Sequence, residues 1–174
     1  MINIFQPDIT KKSLELLEEV FNSNWLGRGE FVTNFENEFI KYNNFTSNNF
    51  TTVSCATDAI FGILNLLRNK TSKNTILVPA ISFPAIASAV LDSKFTLKII
   101  DVNKDTGNIC LESLVENFDD DCCGVFITHY AGDPINVAAI RNVVGDNVYI
   151  LEDSACALGS FIDNRGVGEL ADFS

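Results

Sequence analysis

The chain is poor in positive charge. Twelve Lys and Arg stand against twenty-three Asp and Glu in 174 residues, a formal net charge of −11, and the basic residues are scattered without forming a patch. Phosphate backbones and anionic membrane surfaces are gripped by Lys and Arg in excess, so both are disfavoured as partners. Long apolar runs are missing too: none approaches the roughly 20 residues that cross a bilayer. The opening Met1-Ile-Asn-Ile-Phe-Gln-Pro7 lacks the basic and apolar regions of a secretory signal. There is one histidine, His129, and the five cysteines (55, 110, 122, 123, 156) show no metal-ligand spacing, which leaves no zinc site to expect. An odd cysteine count with two adjacent residues does not build a disulfide framework, and a cytoplasmic location is expected.

What remains is an ordinary globular composition, 47% hydrophobic and 20% charged, long enough for one sizeable core. Apolar residues at helical spacing predict a helix over 10–22, with Leu14, Leu17, Val20 and Phe21 on one face and Glu15, Glu18 and Glu19 on the other, and a second over 30–42 carrying the stripe Phe31, Phe35, Phe39. Residues 43–49 are polar and turn-rich. A strand–helix rhythm then begins, with strands expected at 51–54, 75–78, 96–100, 123–128 and 148–151. Helices are expected at 57–68 (Ile60, Ile63, Leu64 and Leu67 inward), 84–91, 111–118 and 136–143. Such alternation implies crossover connections and a three-layer α/β/α fold around a mostly parallel sheet. The final stretch, Arg165 to Ser174, reads as a turn leading into a further strand, and its position at the chain's end suggests truncation.

The run Asn147-Val-Tyr-Ile-Leu-Glu-Asp-Ser-Ala-Cys-Ala-Leu-Gly159 organises the rest. Ligands of open α/β sheets bind beyond the carboxyl ends of strands. Asp153 stands at such an end, an acid suited to a cationic ring nitrogen, although a plain surface turn would also carry Glu-Asp. In Ser54-Cys-Ala-Thr-Asp-Ala-Ile60 a strand passes through small residues into a helix whose unpaired first N–H groups make an anion site. Thr57 is the expected N-cap, or turns its hydroxyl to a phosphate. Phe83, past another strand end, could stack on a planar ligand or pack in the core.

Taken in order, these segments resemble the DegT/DnrJ/EryC1/StrS sugar aminotransferases, fold-type I enzymes that use pyridoxal phosphate. Trp25-Leu-Gly-Arg-Gly29 with Phe35-Glu36 is similar to the family's Trp-(Leu/Ile)-x-x-Gly and following Phe-Glu. Ser54-Cys-Ala-Thr-Asp-Ala-Ile60 resembles Ser-Asn-Gly-Thr-x-Ala-Leu, and Pro79 with Ser82-Phe83 resembles Pro-x-x-(Thr/Ser)-(Phe/Trp). Asp101-Val-Asn-Lys-Asp-Thr-Gly-Asn-Ile109 resembles Asp-Val-Asp-x-x-Thr-x-Asn-Ile. Thr128-His-Tyr-Ala-Gly-Asp-Pro134 resembles Val-His-x-x-Gly-x-Pro. Leu151-Glu-Asp-Ser-Ala-Cys-Ala-Leu-Gly159 resembles Ile-Glu-Asp-Ala-Ala-Gln-Ala-x-Gly, and Gly168-Glu-Leu-Ala-Asp-Phe-Ser174 the approach to the family's lysine loop.

The resemblance implies an amino-terminal helical segment (1–45) packed on an incomplete cofactor-binding large domain (46–174). It implies that Asp153 pairs with the pyridinium N–H and Phe83 stacks on the ring. The N–H groups of Ala56 and Thr57, with the Ser174 hydroxyl, would hold the phosphate. His129 lies in a matching motif and is assigned no chemistry. Two residues depart from the pattern: Ala56 replaces a glycine, which would crowd the phosphate if positive φ were needed there, and Cys156 replaces the Gln or His that reaches the cofactor's phenolic oxygen.

The Schiff-base lysine of the family lies about five residues past the serine equivalent to Ser174, and none of Lys11, Lys12, Lys41, Lys70, Lys73, Lys94, Lys98 or Lys104 occupies a comparable loop. The expectation is therefore the amino-terminal part of a homodimeric aminotransferase, with a nucleotide-linked keto sugar as acceptor and an amino acid, glutamate, as donor. The 174 residues by themselves would be inactive and would bind pyridoxal phosphate weakly. A sugar dehydratase of the same family and a non-catalytic protein of the same fold are the alternatives.

Overall fold

The computed structural model describes residues 7–46 and 49–174; Met1–Gln6 and part of the polar stretch 43–49 lie outside the described residues. Two compact units are present, one ending at Phe39 and one running from Ile40 to Ser174.

The first unit holds α1 (Lys11–Asn22) and most of α2 (Glu30–Tyr42). Thr10 is the cap of α1, its Oγ1 accepting the Ser13 N–H at 3.2 Å, which supplies one of the four helix-start donors with a partner. The helix is amphipathic, yet none of its residues is buried: Leu14, Leu17 and Phe21 are all more than half exposed. The apolar face of Leu14, Leu17, Val20 and Phe21 is thus not buried by the described residues. Amphipathic spacing fixes where the apolar stripe lies, not what covers it. In α2, Phe31 and Phe35 are likewise exposed, and the Phe35 and Phe39 rings lie tilted at 5.8 Å.

The second unit contains α3 (Ala56–Arg68), β1 (Thr75–Pro79), α4 (Pro84–Asp92), β2 (Thr96–Ile100), α5 (Leu111–Asn117), β3 (Cys122–Thr128), α6 (Val137–Val144) and β4 (Tyr149–Asp153). Proline at the first turn of α4 costs no hydrogen bond. The four strands form one parallel sheet in the order β2-β1-β3-β4. Side chains alternate across it. Ile76, Val78, Phe126 and Leu151 pack with Ile60, Leu64 and Leu67 of α3 and Ile86 and Val90 of α4. Leu77, Val125, Ile127 and Ile150 pack with Leu114 of α5 and Val137, Ile140 and Val144 of α6. The result is three layers, with α3 and α4 on one face and α5 and α6 on the other. Full burial of a Leu or Ile side chain contributes about 1.5–3 kcal/mol, and Leu64, Leu67, Leu77, Ile127 and Ile150 are all fully buried.

One expected strand is absent. Residues 51–54 take no regular structure, with a bend at Ser54, and belong to neither sheet, and Val53 is half exposed. Two threonines and a valine favour extended backbone, but a strand exists only as a ladder with a neighbour. β4 also runs two residues further than expected, so Glu152 and Asp153 are its last rungs, paired with Ile127 and Thr128. Past it, β5 (Phe161–Ile162) and β6 (Arg165–Gly166) form a hairpin whose Asp163 and Asn164 both have positive φ, the backbone a two-residue primed turn requires. The segment after the hairpin does approach strand geometry: Phe173 bridges Leu151 in parallel on the outer edge of β4.

Candidate functional site

All four strands are parallel, so their carboxyl ends lie along one edge of the sheet, the edge where ligands of this architecture bind. The register decides which way the last residues of β4 face. Leu151 belongs to the α3/α4 layer, Ile150 to the α5/α6 layer. Alternation therefore gives Glu152 to the α5/α6 face and Asp153 to the α3/α4 face. The helices whose first residues carry Ala56, Thr57 and, at the N-cap, Phe83 are α3 and α4. Asp153 thus shares a face with three of the other expected site residues.

Helix α3 starts without a side-chain cap. Its N-cap is Cys55, extended at φ −162° and ψ 166°, and makes no capping hydrogen bond. Thr57, expected as the cap, is instead the second helical residue, because Ala56 already has helical backbone. The correction leaves the N–H groups of Ala56 and Thr57 without intrahelical acceptors, and the first helical bond in this turn runs from the Ala59 N–H to the Cys55 carbonyl at 3.3 Å. Ala56 is absent from the residues with positive φ, so its replacement of glycine introduces no backbone strain. The Ser54 hydroxyl is bonded to the Asp58 carboxylate.

Phe83 is 63% exposed, which rules out the core-packing alternative and leaves a ring face open. Asp153 is half-buried; its Oδ1 accepts the Ala155 N–H at 3.1 Å, and its backbone carbonyl accepts the His129 N–H. Cys156 is exposed, in a turn closed by the Ala157 N–H on the Ser154 carbonyl at 2.9 Å. That turn sits against the 129–132 loop: a Cβ added to Gly132, at φ +84°, would meet the Cys156 carbonyl at 3.3 Å. Ser174 follows Phe173, whose carbonyl accepts the Glu152 N–H at 2.8 Å, so Ser174 flanks the end of β4. The structure gathers Asp153, Cys156 and Ser174 around that one strand end, with Ala56, Thr57 and Phe83 at helix starts on the face of Asp153. A concavity lined by Ile109, Leu111, Ile135 and Ala139 among others lies between α5 and α6 and includes none of these six.

Beneath the end of β4 is an arrangement that the spacing alone did not assign. His129 and Glu152 are buried together, their side chains 0% and 1% exposed, and are bonded through Nε2 and Oε1. His129 Nδ1 accepts the Ile135 N–H at 3.0 Å, so the ring proton is on Nε2 and is donated to Glu152. The same Oε1 accepts the Gly168 N–H at 2.6 Å and the Ser154 hydroxyl at 3.2 Å, while Oε2 is buried without a hydrogen-bond partner among the described residues. The hydroxyl of Thr128, the register partner of Asp153, is also buried and has no hydrogen-bond partner among the described residues. The available signal was the alternation: once β4 includes Glu152, that residue must point inward.

Known proteins resemble this chain in sequence and in fold. The chain is 30% identical over its whole length to a dTDP-4-dehydro-2,3,6-trideoxy-D-glucose 4-aminotransferase of Saccharopolyspora spinosa, covering 45% of that protein. It is 27% identical over 97% of its length to a GDP-4-keto-6-deoxy-D-mannose 3-dehydratase of Escherichia coli O55:H7, covering 45% of it. The structure of the aminotransferase TlmJ from Streptoalloteichus hindustanus superposes with a TM-score of 0.87 at 32% identity, over 99% of this chain and 47% of that one. The chain thus spans about half the length of the relatives it matches. Residues 7–174 fit the sequence model of one family, and on that match and the strand-end site together the chain belongs to the DegT/DnrJ/EryC1/StrS aminotransferase family.

Proposed function

We propose that this chain is the cofactor-binding part of a pyridoxal-phosphate-dependent aminotransferase acting on a nucleotide-linked keto sugar, with glutamate as donor. The observation that carries the reading is the register placing Asp153 at the end of β4, on the face whose helices begin at Ala56 and Pro84. The residues present suit the cofactor. Asp153 Oδ2 has no partner among the described residues and can accept a pyridinium N–H, the uncapped start of α3 offers N–H groups to a phosphate, and Phe83 offers an open ring face. Ser174 would add its hydroxyl to the phosphate, and Cys156 would take the position near the phenolic oxygen, as a weak donor. When bound, the cofactor supplies an electron sink for the amino-acid α-carbon. Asp153 keeps the ring nitrogen protonated, and the half-buried setting strengthens that ion pair.

Covalent attachment is proposed to lie outside these 174 residues. Lys70, Lys73 and Lys94 precede β1 and β2 and so lie at the opposite, amino-terminal edge of the sheet; Lys98 Nζ turns to the Asn117 carbonyl at 2.6 Å. Lys104 follows β2, three strand positions from β4, or roughly 14 Å. For these five lysines the placement supports weak, non-covalent cofactor binding, and with it the reading carries no transamination by this chain alone. Within the reading, residues 1–45 and 46–174 are the two segments of the chain, the second carrying the cofactor site, and the protein is cytoplasmic and homodimeric. No helix among the described residues is long and apolar enough to cross a membrane. The dehydratase reading is the alternative that the similarity to the E. coli enzyme favours.

Equilibrium dialysis with pyridoxal phosphate tests the site. D153N, which preserves the acceptor for the Ala155 N–H, is expected to lower affinity about tenfold. Equal binding by D153N would overturn the assignment. Borohydride reduction followed by peptide mapping is expected to fix no pyridoxyl group on any one lysine; a single labelled lysine near Asp153 would overturn the non-covalent reading.

A further inference from the structure

Glu152 faces away from the proposed cofactor, yet its carboxylate joins every segment that frames the site on that side. Oε1 receives the His129 imidazole from the loop after β3, the Ser154 hydroxyl from the turn after β4, and the Gly168 N–H from the segment that ends at Ser174. Three donors converge on one oxygen that water does not reach, and a buried carboxylate is stabilised only while such donors are held in place. Gly168 lies against Ser174: at φ +103° it accepts no side chain readily, and a Cβ there would stand 2.6 Å from Ser174 Oγ. The same segment continues along β4, with the Asp172 N–H on the Ile150 carbonyl at 3.1 Å and the Glu152 N–H on the Phe173 carbonyl at 2.8 Å.

We infer that Glu152 is a positioning residue for the phosphate side of the site: its buried carboxylate clasps Gly168 and thereby holds residues 168–174, Ser174 included, against the end of β4. This rests on the proposed cofactor reading for its purpose, and on the geometry alone for the clasp. Glu152 itself touches no ligand. His129 serves the same clasp from the other side, its ring fixed by the Ile135 N–H so that Nε2 always donates to the carboxylate.

Hydrogen exchange of the intact chain tests the clasp without any cofactor. In E152A the amides of Gly168, Asp172 and Phe173 are expected to exchange about tenfold faster or more, while those of β1 keep their protection. E152Q retains a carbonyl oxygen for the Gly168 and His129 donors and is expected to exchange like the parent. E152D keeps the charge but draws the carboxylate back by one methylene, and should give the E152A pattern in milder form even if E152A does not fold. Unchanged exchange over 168–173 in E152D and E152A, or acceleration spread equally through β1, would overturn the clasp.

The ligand arm separates positioning from plain stability. Pyridoxal phosphate affinity is expected to fall about tenfold in E152A, with pyridoxal, which lacks the phosphate, changing by less than about twofold. Adding S174A to E152A should cost nothing further, since Glu152 acts through Ser174. Equal losses for both ligands, or additive losses in the double variant, would overturn the inference. Failure of the parent chain to take up pyridoxal phosphate would instead defeat the proposed function, and the exchange result would still decide the clasp.

Discussion

Thr128 and Asp153 stand opposite each other as the last rungs of the β3–β4 ladder, and the Thr128 hydroxyl is buried without a partner among the described residues. The family's motif, as matched by residues 128–134, has valine before its histidine. This chain has a hydroxyl there, with no hydrogen bond to any described residue.

T128V keeps the branched shape and removes the orphaned oxygen. An unmet buried hydroxyl costs stability, and exchanging it for an isosteric apolar group is neutral or favourable. Denaturant unfolding of T128V is therefore expected to show unchanged stability or a gain of up to about 1 kcal/mol. A loss larger than about 1 kcal/mol would mean that the hydroxyl has a partner in solution, such as bound water.

The cysteines are expected to divide by accessibility. Cys55 and Cys156 are exposed, Cys110 is half-buried, and Cys122 and Cys123 are buried in β3. Burial pushes the Cys122 and Cys123 thiols up to about 11, since the thiolate would be stranded away from water. A disulfide reagent near neutral pH should therefore label Cys55 and Cys156 rapidly and Cys110 more slowly, with Cys122 and Cys123 reacting only after unfolding. The same shifts give alkaline sensitivity. The unfolded thiols lose protons above their ordinary value of 9.0 while the folded ones hold them, so stability declines as pH rises from about 9 towards 11. Rapid native labelling at four or five sites would contradict the buried placement of β3.

Much of this was legible in the sequence because the signals were local and redundant. Helices 30–42 and 84–92 and strands 75–79 and 96–100 have unambiguous apolar patterns and clear stops, and the repeated strand–helix order left little choice but a parallel sheet. Residues 51–54 misled because β propensity records a backbone preference, while strand formation depends on a neighbour that the segment itself does not encode. The candidate site was legible as motifs at strand ends. Its support was not: whether Glu152 faces inward depends on β4 continuing to Asp153, and the pairing of His129 with Glu152 joins residues 23 positions apart through the register of two strands. The Asp163-Asn164 turn also escaped notice, since it reaches positive φ without the usual glycine.

The exposed apolar face of the first unit calls for a cover. Leu14, Leu17 and Phe21 of α1 and Phe31 and Phe35 of α2 are all exposed, a concentration that a soluble chain seldom leaves to water. Under the proposed homodimer, light scattering at high micromolar concentration is expected to show self-association, and F35E to weaken it. A strictly monomeric parent chain would remove the dimer from the proposal.

Acid should loosen one particular contact in the second unit. The Glu169 carboxylate, its side chain 7% exposed, accepts both the Thr46 hydroxyl and the Thr46 N–H, the latter at 2.5 Å. The hydroxyl bond is the main cause that lowers the Glu169 pKa from its ordinary 4.5, with the Thr46 N–H and the Arg165 guanidinium adding to it against the opposing effect of burial. A depressed carboxyl stabilises the fold above the unfolded value, because the folded form resists protonation that the unfolded chain accepts. That contribution is complete above about pH 4.5 and is lost as pH falls through the lower folded value. T46V removes the hydroxyl donor, leaves the N–H donor and preserves the branched shape. Its acid unfolding midpoint, followed by circular dichroism, is expected to move to higher pH, with little change in stability relative to other pH-independent losses at this exposed position. The alternative outcome is equally plain: if T46V and the parent unfold at the same acid midpoint, the Thr46 hydroxyl does not hold Glu169 ionised in solution.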